Sequence, residues 1–375
     1  MRAVIKAVDG PGCALVNDRP EAELSPGEVR IEVAATSVCG TDASIHAHGP
    51  AARALGLRLP VTMGHEVAGT VVEVGPHTDG PAVGTRVGVE THLACGRCWA
   101  CRDGAGHNCV ALSLLGVDVD GAFAERVVVP AAMCFEIPDE MTFASAALLE
   151  PAGSAMHAVL RCARPLAGAS VLVSGAGPVG LVQAEIAVAL GARCVVVSEP
   201  NPLRRRLAAE RGAVAVDVDA DPVEVADART RHRGGFDVAF ECSGVLPALT
   251  AVVDHVRNEG TVMIVGLAPG ELPVPVTRTF ITRGLTLRGS WGRSIWRTWE
   301  ELSSLVVAGH VDLDRLVTHR LPLSGLPDAL DLMRGDAGKV LLLPSLPDAD
   351  RAVTTAEALA GATTTASGAR EPAGV

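Results

Sequence analysis

Four cysteines close together in the chain, Cys95, Cys98, Cys101 and Cys109, have the spacing that most directly implies chemistry. Three stand at three-residue intervals and the fourth follows shortly after. Thiolates so placed can close tetrahedrally round one zinc ion. Disulfides between such near neighbours would strain the geometry that a bridge requires. Four protein ligands leave no open position for a substrate, so this zinc is expected to be structural, in a lobe spanning about residues 92–112. His92, His107 and Asn108 are expected to form its supporting loop.

A second pattern is Gly175-Ala-Gly177-Pro178-Val179-Gly180. It follows the apolar run 171–174 and opens a helical pattern over 181–190, the context that gives a glycine fingerprint meaning. The glycines permit a tight turn and let backbone approach a pyrophosphate, whose charge suits a helix N-terminus. Glu199 ends the next predicted strand, where a carboxylate accepts ribose hydroxyls and repels a 2′-phosphate. That favours NAD over NADP, although Arg204, with Arg205 and Arg206, pulls towards the phosphate.

The elements that must hold these groups are legible as two regimes. Up to about residue 130 the chain reads as short alternating strands, such as 28–34, punctuated by Pro26-Gly27 and Gly75-Pro76. Helix formers dominate 144–149 and 155–160, separated by Glu150-Pro151. Strands at 171–174, 194–198, 236–240 and 261–265 then alternate with helices at 181–190, 202–211 and 246–256. That alternation implies an α/β class with a parallel sheet covered on both faces. A further strand at 285–289 and a helix at 298–307 follow, before β pattern returns at 318–323 and 338–343. Beyond about residue 347 the Ala-, Thr- and Gly-rich composition implies a disordered tail, with a weak helical pattern at 354–359.

Composition sets outer bounds. At 375 residues the chain can hold two domains. Its net charge of −11 argues against a nucleic-acid surface. No stretch is apolar enough to span a membrane, and Met1 to Ala7 lacks a signal-peptide core. The remaining cysteines, Cys13, Cys39, Cys134, Cys162, Cys194 and Cys242, are scattered as in a reduced protein, so a cytoplasmic location is expected.

Cys39-Gly-Thr41-Asp42, Gly64-His65-Glu66, the cysteine lobe, Glu150-Pro151 with His157, and Gly175–Gly180 together resemble the zinc-dependent medium-chain alcohol dehydrogenase family over roughly residues 1–345. Gly289-Ser-Trp291-Gly292-Arg293 with Thr298-Trp299 is most similar to its threonine dehydrogenase branch and polyol dehydrogenase relatives. The resemblance implies a GroES-like, mostly-β catalytic domain over 1–154 and a doubly wound Rossmann NAD-binding domain over 155–292. It also implies a return to the first domain over 293–346 and leaves 347–375 as tail. Spacing alone cannot join Cys39 to His65; the resemblance places Cys39, His65 and Glu66 round a catalytic zinc, with Glu150 in or near the fourth position. There would then be two zinc ions per chain. The catalytic one would acidify a substrate hydroxyl for hydride transfer to NAD, with Thr41 taking the proton.

Ser44 stands where the family ordinarily has the histidine that ends the proton relay, and His46 or His48 could substitute. Cys242, Ser243, Val265, Gly266 and Leu267 are implied to line the cofactor. Arg293 is expected at the cofactor, a substrate anion or the surface; Lys339 at the interdomain cleft or in solvent. Trp291, Trp296 and Trp299 are expected in packing or dimer contacts. The implied reaction oxidises a secondary alcohol, amino alcohol or polyol to a ketone. L-threonine is the leading substrate and a cyclitol or other specialised alcohol the alternative. A zinc-stabilised NAD-binding module without turnover is the non-enzymatic alternative. The family habit implies a homodimer or homotetramer, with no nucleic-acid or membrane partner.

Overall fold

The computed structural model describes residues 1–49, 52–53, 56–230, 233–335, 337–348 and 352–359. It divides into two compact units. The first comprises Met1–Arg102, Cys109–Glu150 and the described part of Val317–Val375; the second comprises Asp103–Asn108 and Pro151–Leu316.

The first unit is mostly β. Its hub is β3 (Glu28–Ser37), whose Val29, Ile31 and Val33 alternate inward as the period of two requires. β3 pairs antiparallel with β5 (Glu66–Val74), β9 (Arg126–Pro130) and β18 (Lys339–Leu342). The sheet runs β10 (Cys134–Glu136), β6 (Arg86–Val89), β5, β3, β18 and β17 (Val317–Leu321), with β9 joined to β3 off this path. A smaller sheet orders β2 (Ala14–Val16), β1 (Ala3–Lys6) and β4 (Val61–Thr62). β7 (His92–Leu93) and β8 (Ser113–Leu114) pair at the base of the cysteine lobe. Two clusters of Val, Ile, Leu and Ala fill the interior, one behind β3, β5 and β9 and the other behind β18 and the helix Leu326–Leu332.

The second unit is a six-stranded parallel sheet in the order β13 (Val214–Val216), β12 (Cys194–Ser198), β11 (Ser170–Ser174), β14 (Phe236–Glu241), β15 (Val256–Ile264) and β16 (Thr286–Gly289). This is the doubly wound order with its switch point between β11 and β14. Every residue of β11 and β14 is buried, including Asp237 and Glu241 of β14, which the fold pairs by hydrogen bonds. The parallel sheet, the β-rich first unit and the return of late strands to it agree with the α/β class read from the sequence.

Several boundaries differ from the sequence reading. The expected break at Glu150-Pro151 is instead the first turn of the helix Leu149–Arg161, where a missing proline N–H costs no internal hydrogen bond. The expected return to the first domain at 293 falls at Val317. The helix Arg297–Val307 stays with the second unit because Trp299 and Leu302 are buried there, and Asp312 N donates to Glu185 Oε1 at 2.8 Å. The tail expected to be disordered from 347 is ordered over 352–359. Val353 bridges to β2, Thr355 N and Oγ1 donate to Asp18 Oδ1 at 2.6 and 2.8 Å, and 355–359 is helical. The open backbone edge of β2 pairs with any chain that can lie beside it, and needs no apolar composition to do so. Residues 360–375 lie outside the described residues. Strand β13 and the helix Pro222–Thr230 are not legible in the sequence pattern, because β13 is only three residues long and the helix mixes its few apolar residues with acids.

Candidate metal centres and nucleotide site

β3 ends at Ser37, and two residues on Cys39 caps the helix Gly40–Ala47. Its Sγ accepts from Thr41 N at 3.5 Å, while Asp42 Oδ2 accepts from Cys39 N at 2.9 Å. This reciprocal cap fixes the thiol at a helix N-terminus. Gly64 turns the chain so that His65 and Glu66 enter β5, and Glu150 lies in the first turn of Leu149–Arg161. Candidate ligand atoms of Cys39, Asp42 and His65 lie within 4.8 Å of one another, and so do those of His65, Glu66 and Glu150. His65 is common to both groups, so folding joins the distant sequence positions.

Asp42 is the residue that sequence reasoning missed. It is fully buried, its Oδ1 lies 3.6 Å from His65 Nδ1, and that oxygen has no hydrogen-bond partner among the described residues. A carboxylate behind a ligating imidazole fixes its tautomer and orientation. The available signal was an acid three residues after a capping cysteine. Burial alone would lower the His65 pKa, but the charges of Asp42 and Cys39 outweigh it and hold it well above its ordinary value.

Glu66 is equally buried, and both its oxygens take hydrogen bonds from Lys339 Nζ, at 2.7 and 2.5 Å. Lys339 also donates to Val38 O at 3.2 Å. This places Lys339 in the interior, not in solvent. Burial would lower its pKa, but the Glu66 carboxylate and the Cys39 thiol raise it, consistent with an ionised pair. The donor set of sulfur, imidazole and carboxylate fits zinc.

Thr41 is half-buried one turn from these groups. Ser44 Oγ accepts from Ala52 N at 3.2 Å. His46 Nδ1 meets Cys13 Sγ at 3.0 Å, and its pKa is lowered by burial and then by Lys6. His48 caps the helix in a left-handed conformation with φ 54°, its Nε2 lying 3.6 Å from Asp9. The side chains of both histidines thus face the 9–13 segment.

In the cysteine lobe all four Sγ atoms lie within 4.8 Å of one another, with Cys98 3.5 Å from Cys101 and 3.9 Å from Cys109. None forms a disulfide. Backbone N–H groups of Cys95 and Ala111 donate to Cys109 Sγ, both at 3.3 Å. Those of Cys101 and Val110 pull the Cys98 thiol down to about 6. Backbone donors aimed at sulfur favour thiolates, the form that binds metal, so the lobe also fits zinc. His92 supports its base through Glu90, whose Oε1 lies 2.6 Å from His92 Nδ1. His107 and Asn108 belong instead to the second unit, where His107 meets His157 edge to face at 4.8 Å. Burial first, then His107, Arg161 and Arg293, lower the His157 pKa to about 3.

At the glycine fingerprint Gly175 has φ 91°, and a Cβ on Gly180 would lie 1.9 Å from Gly175 O. Only glycine permits that approach. Gly177 caps the helix Pro178–Ala189 without a side-chain hydrogen bond, Pro178 opens it, and no atom lies within 4 Å of a Cβ at Gly177. The turn therefore presents open space to a pyrophosphate at a helix N-terminus. Glu199 is buried, with Oε2 accepting from Ala176 N at 2.6 Å and Oε1 from Asn201 N at 2.9 Å. Arg205 is held by Glu199 O, Pro200 O and Asp217.

The carboxyl ends of the neighbouring strands are tied together there. Cys242 N donates to Ser174 O at 2.8 Å, and Val265 N and Gly266 N both donate to Glu241 O at 2.9 Å. Glu241, fully buried and not anticipated, also takes Ser243 N and Gly244 N on its carboxylate. Leu267 is 79% exposed beyond that turn. Sequence offered no signal for Glu241 beyond an acid ending an apolar strand.

Comparisons with known proteins agree with this arrangement. A family model described as an alcohol dehydrogenase GroES-like domain matches residues 25–139, and one described as a zinc-binding dehydrogenase matches residues 178–308. An L-threonine 3-dehydrogenase of Pyrococcus horikoshii is 41% identical over 352 residues, covering 92% of this chain and 98% of its own. The 2R,3R-butanediol dehydrogenase of Bacillus subtilis superposes with a TM-score of 0.82 at 30% identity, covering 92% of this chain and 99% of that one. A zinc-binding dehydrogenase of Sinorhizobium meliloti 1021, bound to NADP, gives 0.81 at 31% identity over the same shares. No helix among the described residues is long and apolar enough to cross a membrane.

Proposed function

The chain belongs to the zinc-dependent medium-chain alcohol dehydrogenase family, and from that premise we propose that it oxidises the 3-hydroxyl of L-threonine or a closely related amino alcohol with NAD. The observation that carries the reading is the convergence of Cys39, Asp42 and His65, and of His65, Glu66 and Glu150, on one largely buried place. Cys39, His65 and a carboxylate from Glu66 or Glu150 would hold the catalytic zinc, and Cys95, Cys98, Cys101 and Cys109 the structural one. Zinc, when bound, supplies a Lewis acid that makes a hydroxyl acidic near neutral pH.

The chain's own residues do the rest. Asp42 holds His65 by Nδ1, which leaves Nε2 for the metal. Lys339 offsets the charge of Glu66. Thr41, two residues after Cys39 in the same helical turn, would accept the substrate hydroxyl proton while passing its own hydroxyl proton on towards solvent, and the nicotinamide, when bound, would supply the hydride acceptor. The turns at Gly175–Gly180, 242–244 and 265–267 hold the dinucleotide, and Glu199 sets the preference for NAD. The 41% identity to an L-threonine 3-dehydrogenase supports the threonine reading.

A specific observation favours a second substrate class. Ser44 Oγ is engaged by Ala52 N, a loop contact, in place of a relay histidine. A cyclitol or other polyol therefore stands as the alternative. We further propose a cytoplasmic homodimer or homotetramer.

The deciding experiment is NADH production over L-threonine, other amino alcohols, diols and cyclitols, with zinc measured on the same preparation. The expected result is two zinc ions per chain and highest kcat/KM for L-threonine. Turnover of cyclitols without threonine transfers the assignment to the alternative. Zinc and NAD binding without turnover of any alcohol leaves only a non-catalytic module.

A further inference from the structure

The end of the parallel sheet opposite the glycine fingerprint carries a concentration of positive charge that the dehydrogenase reaction does not use. Ser170 opens β11, and Asp237 is the second residue of β14. Gly175 and Cys242 follow the other ends of the same strands, roughly 17 Å away for five residues of extended chain. Beside Asp237 is an open depression of about 550 Å³, lined by Arg164, Arg193 and Arg233 among residues of the 163–169 turn.

Charge accounting shows that these guanidiniums are not neutralised by the fold. Asp237 is almost fully buried and is the only carboxylate among the described residues of the lining. Its Oδ2 accepts from Ser170 N at 2.8 Å, from Ser170 Oγ at 3.0 Å and from Arg233 Nη1 at 3.3 Å. Its Oδ1 faces Arg257 Nε and Nη2 at 2.8 and 2.7 Å, with Arg164 Nη2 at 3.7 Å. A carboxylate accepts about four hydrogen bonds, so Asp237 is saturated. Three guanidiniums, those of Arg164, Arg233 and Arg257, therefore share one negative charge, and Arg193 lines the same depression. Arg193 has one bond, to Gly168 O at 2.6 Å, and Arg164 one, to Glu259 O at 2.9 Å. Each guanidinium carries five donors, so several N–H groups on each remain for solvent or a ligand. The whole chain carries −11, so this positive patch runs against the overall charge.

We propose that this depression is a binding site for a small polyanion carrying two phosphate groups, separate from the dinucleotide site. Arginine forks match phosphate oxygens in pairs, and the Asp237 carboxylate holds Arg233 and Arg257 in place beside them. A free diphosphate and a nucleoside diphosphate share this chemistry.

The test is calorimetric titration of the zinc-loaded enzyme, presaturated with NADH so that the glycine fingerprint is filled. Inorganic pyrophosphate, ADP and orthophosphate are titrated in turn at low ionic strength. Pyrophosphate is expected to bind, more tightly than orthophosphate, with affinity falling as salt rises. The double variant R193Q/R233Q is expected to lose roughly tenfold or more in affinity while its KM for NAD stays unchanged. Tighter binding of ADP than of pyrophosphate would assign the site to a nucleotide, and equal binding to the diphosphate alone. Should the double variant fail to fold, Arg193→Gln alone, at an exposed side chain, is read in the same titration. Absence of pyrophosphate and ADP binding to the wild-type enzyme, or unaltered binding in the variant, would overturn the proposal.

Discussion

Asp42 shows how much of the candidate centre rests on a side chain that need not touch substrate. It is an acid inside the protein whose neighbours are the backbone of Cys39 and the ring of His65. Asp42→Asn keeps the shape and removes the charge. The expected outcome is roughly a 10- to 100-fold loss of zinc affinity or kcat, read by metal competition and steady-state kinetics with far-UV dichroism unchanged. Unaltered zinc affinity and kcat would remove Asp42 from the site. Glu199 is a second residue-scale case, because its carboxylate is already engaged by Ala176 N and Asn201 N. Glu199→Ala should lower kcat/KM with NAD and narrow or invert its advantage over NADP. An unchanged cofactor ratio would mean that Glu199 organises the turn without selecting the cofactor.

At the scale of elements, the amino ends of β11 and β14 are joined through Asp237. Burial would raise its pKa, but hydrogen bonds from Ser170 and Arg257 prevail and bring it down to about 2. A carboxyl depressed from its ordinary 3.8 contributes stability above its unfolded pKa and loses it as pH falls through the folded one. The shift corresponds to about 2 kcal/mol at neutral pH. Urea unfolding of Asp237→Asn should therefore show a deficit of about that size at pH 7, shrinking as pH falls from about 5 towards 2. A deficit independent of pH would assign the loss to packing instead of charge. The same reasoning explains the ordered 352–359 segment: a strand edge, not composition, decided whether it docks.

For the molecule as a whole, two zinc sites with different duties predict separable losses. Cys98→Ser leaves three thiolates in the lobe and removes the sulfur that backbone N–H groups of Cys101 and Val110 most favour as thiolate. Metal content should fall from two zinc ions towards one per chain, with a lower melting temperature and kcat per remaining active centre little changed. A variant of wild-type stability with kcat alone reduced would make the lobe catalytic.

What the chain itself determined was whatever depends on local spacing. The cysteine run, the fingerprint between a strand and a helix, and the alternation that makes a parallel sheet are each satisfied within a few residues of sequence. The fold class followed from them. The catalytic convergence was different: Cys39, His65 and Glu150 are remote along the chain, and the resemblance joined them before geometry did. Lys339 against Glu66, Asp42 behind His65 and Glu241 beneath 243–244 had no periodic signature at all. Only the tertiary structure decided these, because a buried charge selects its partner by the shared desolvated space and not by distance along the chain.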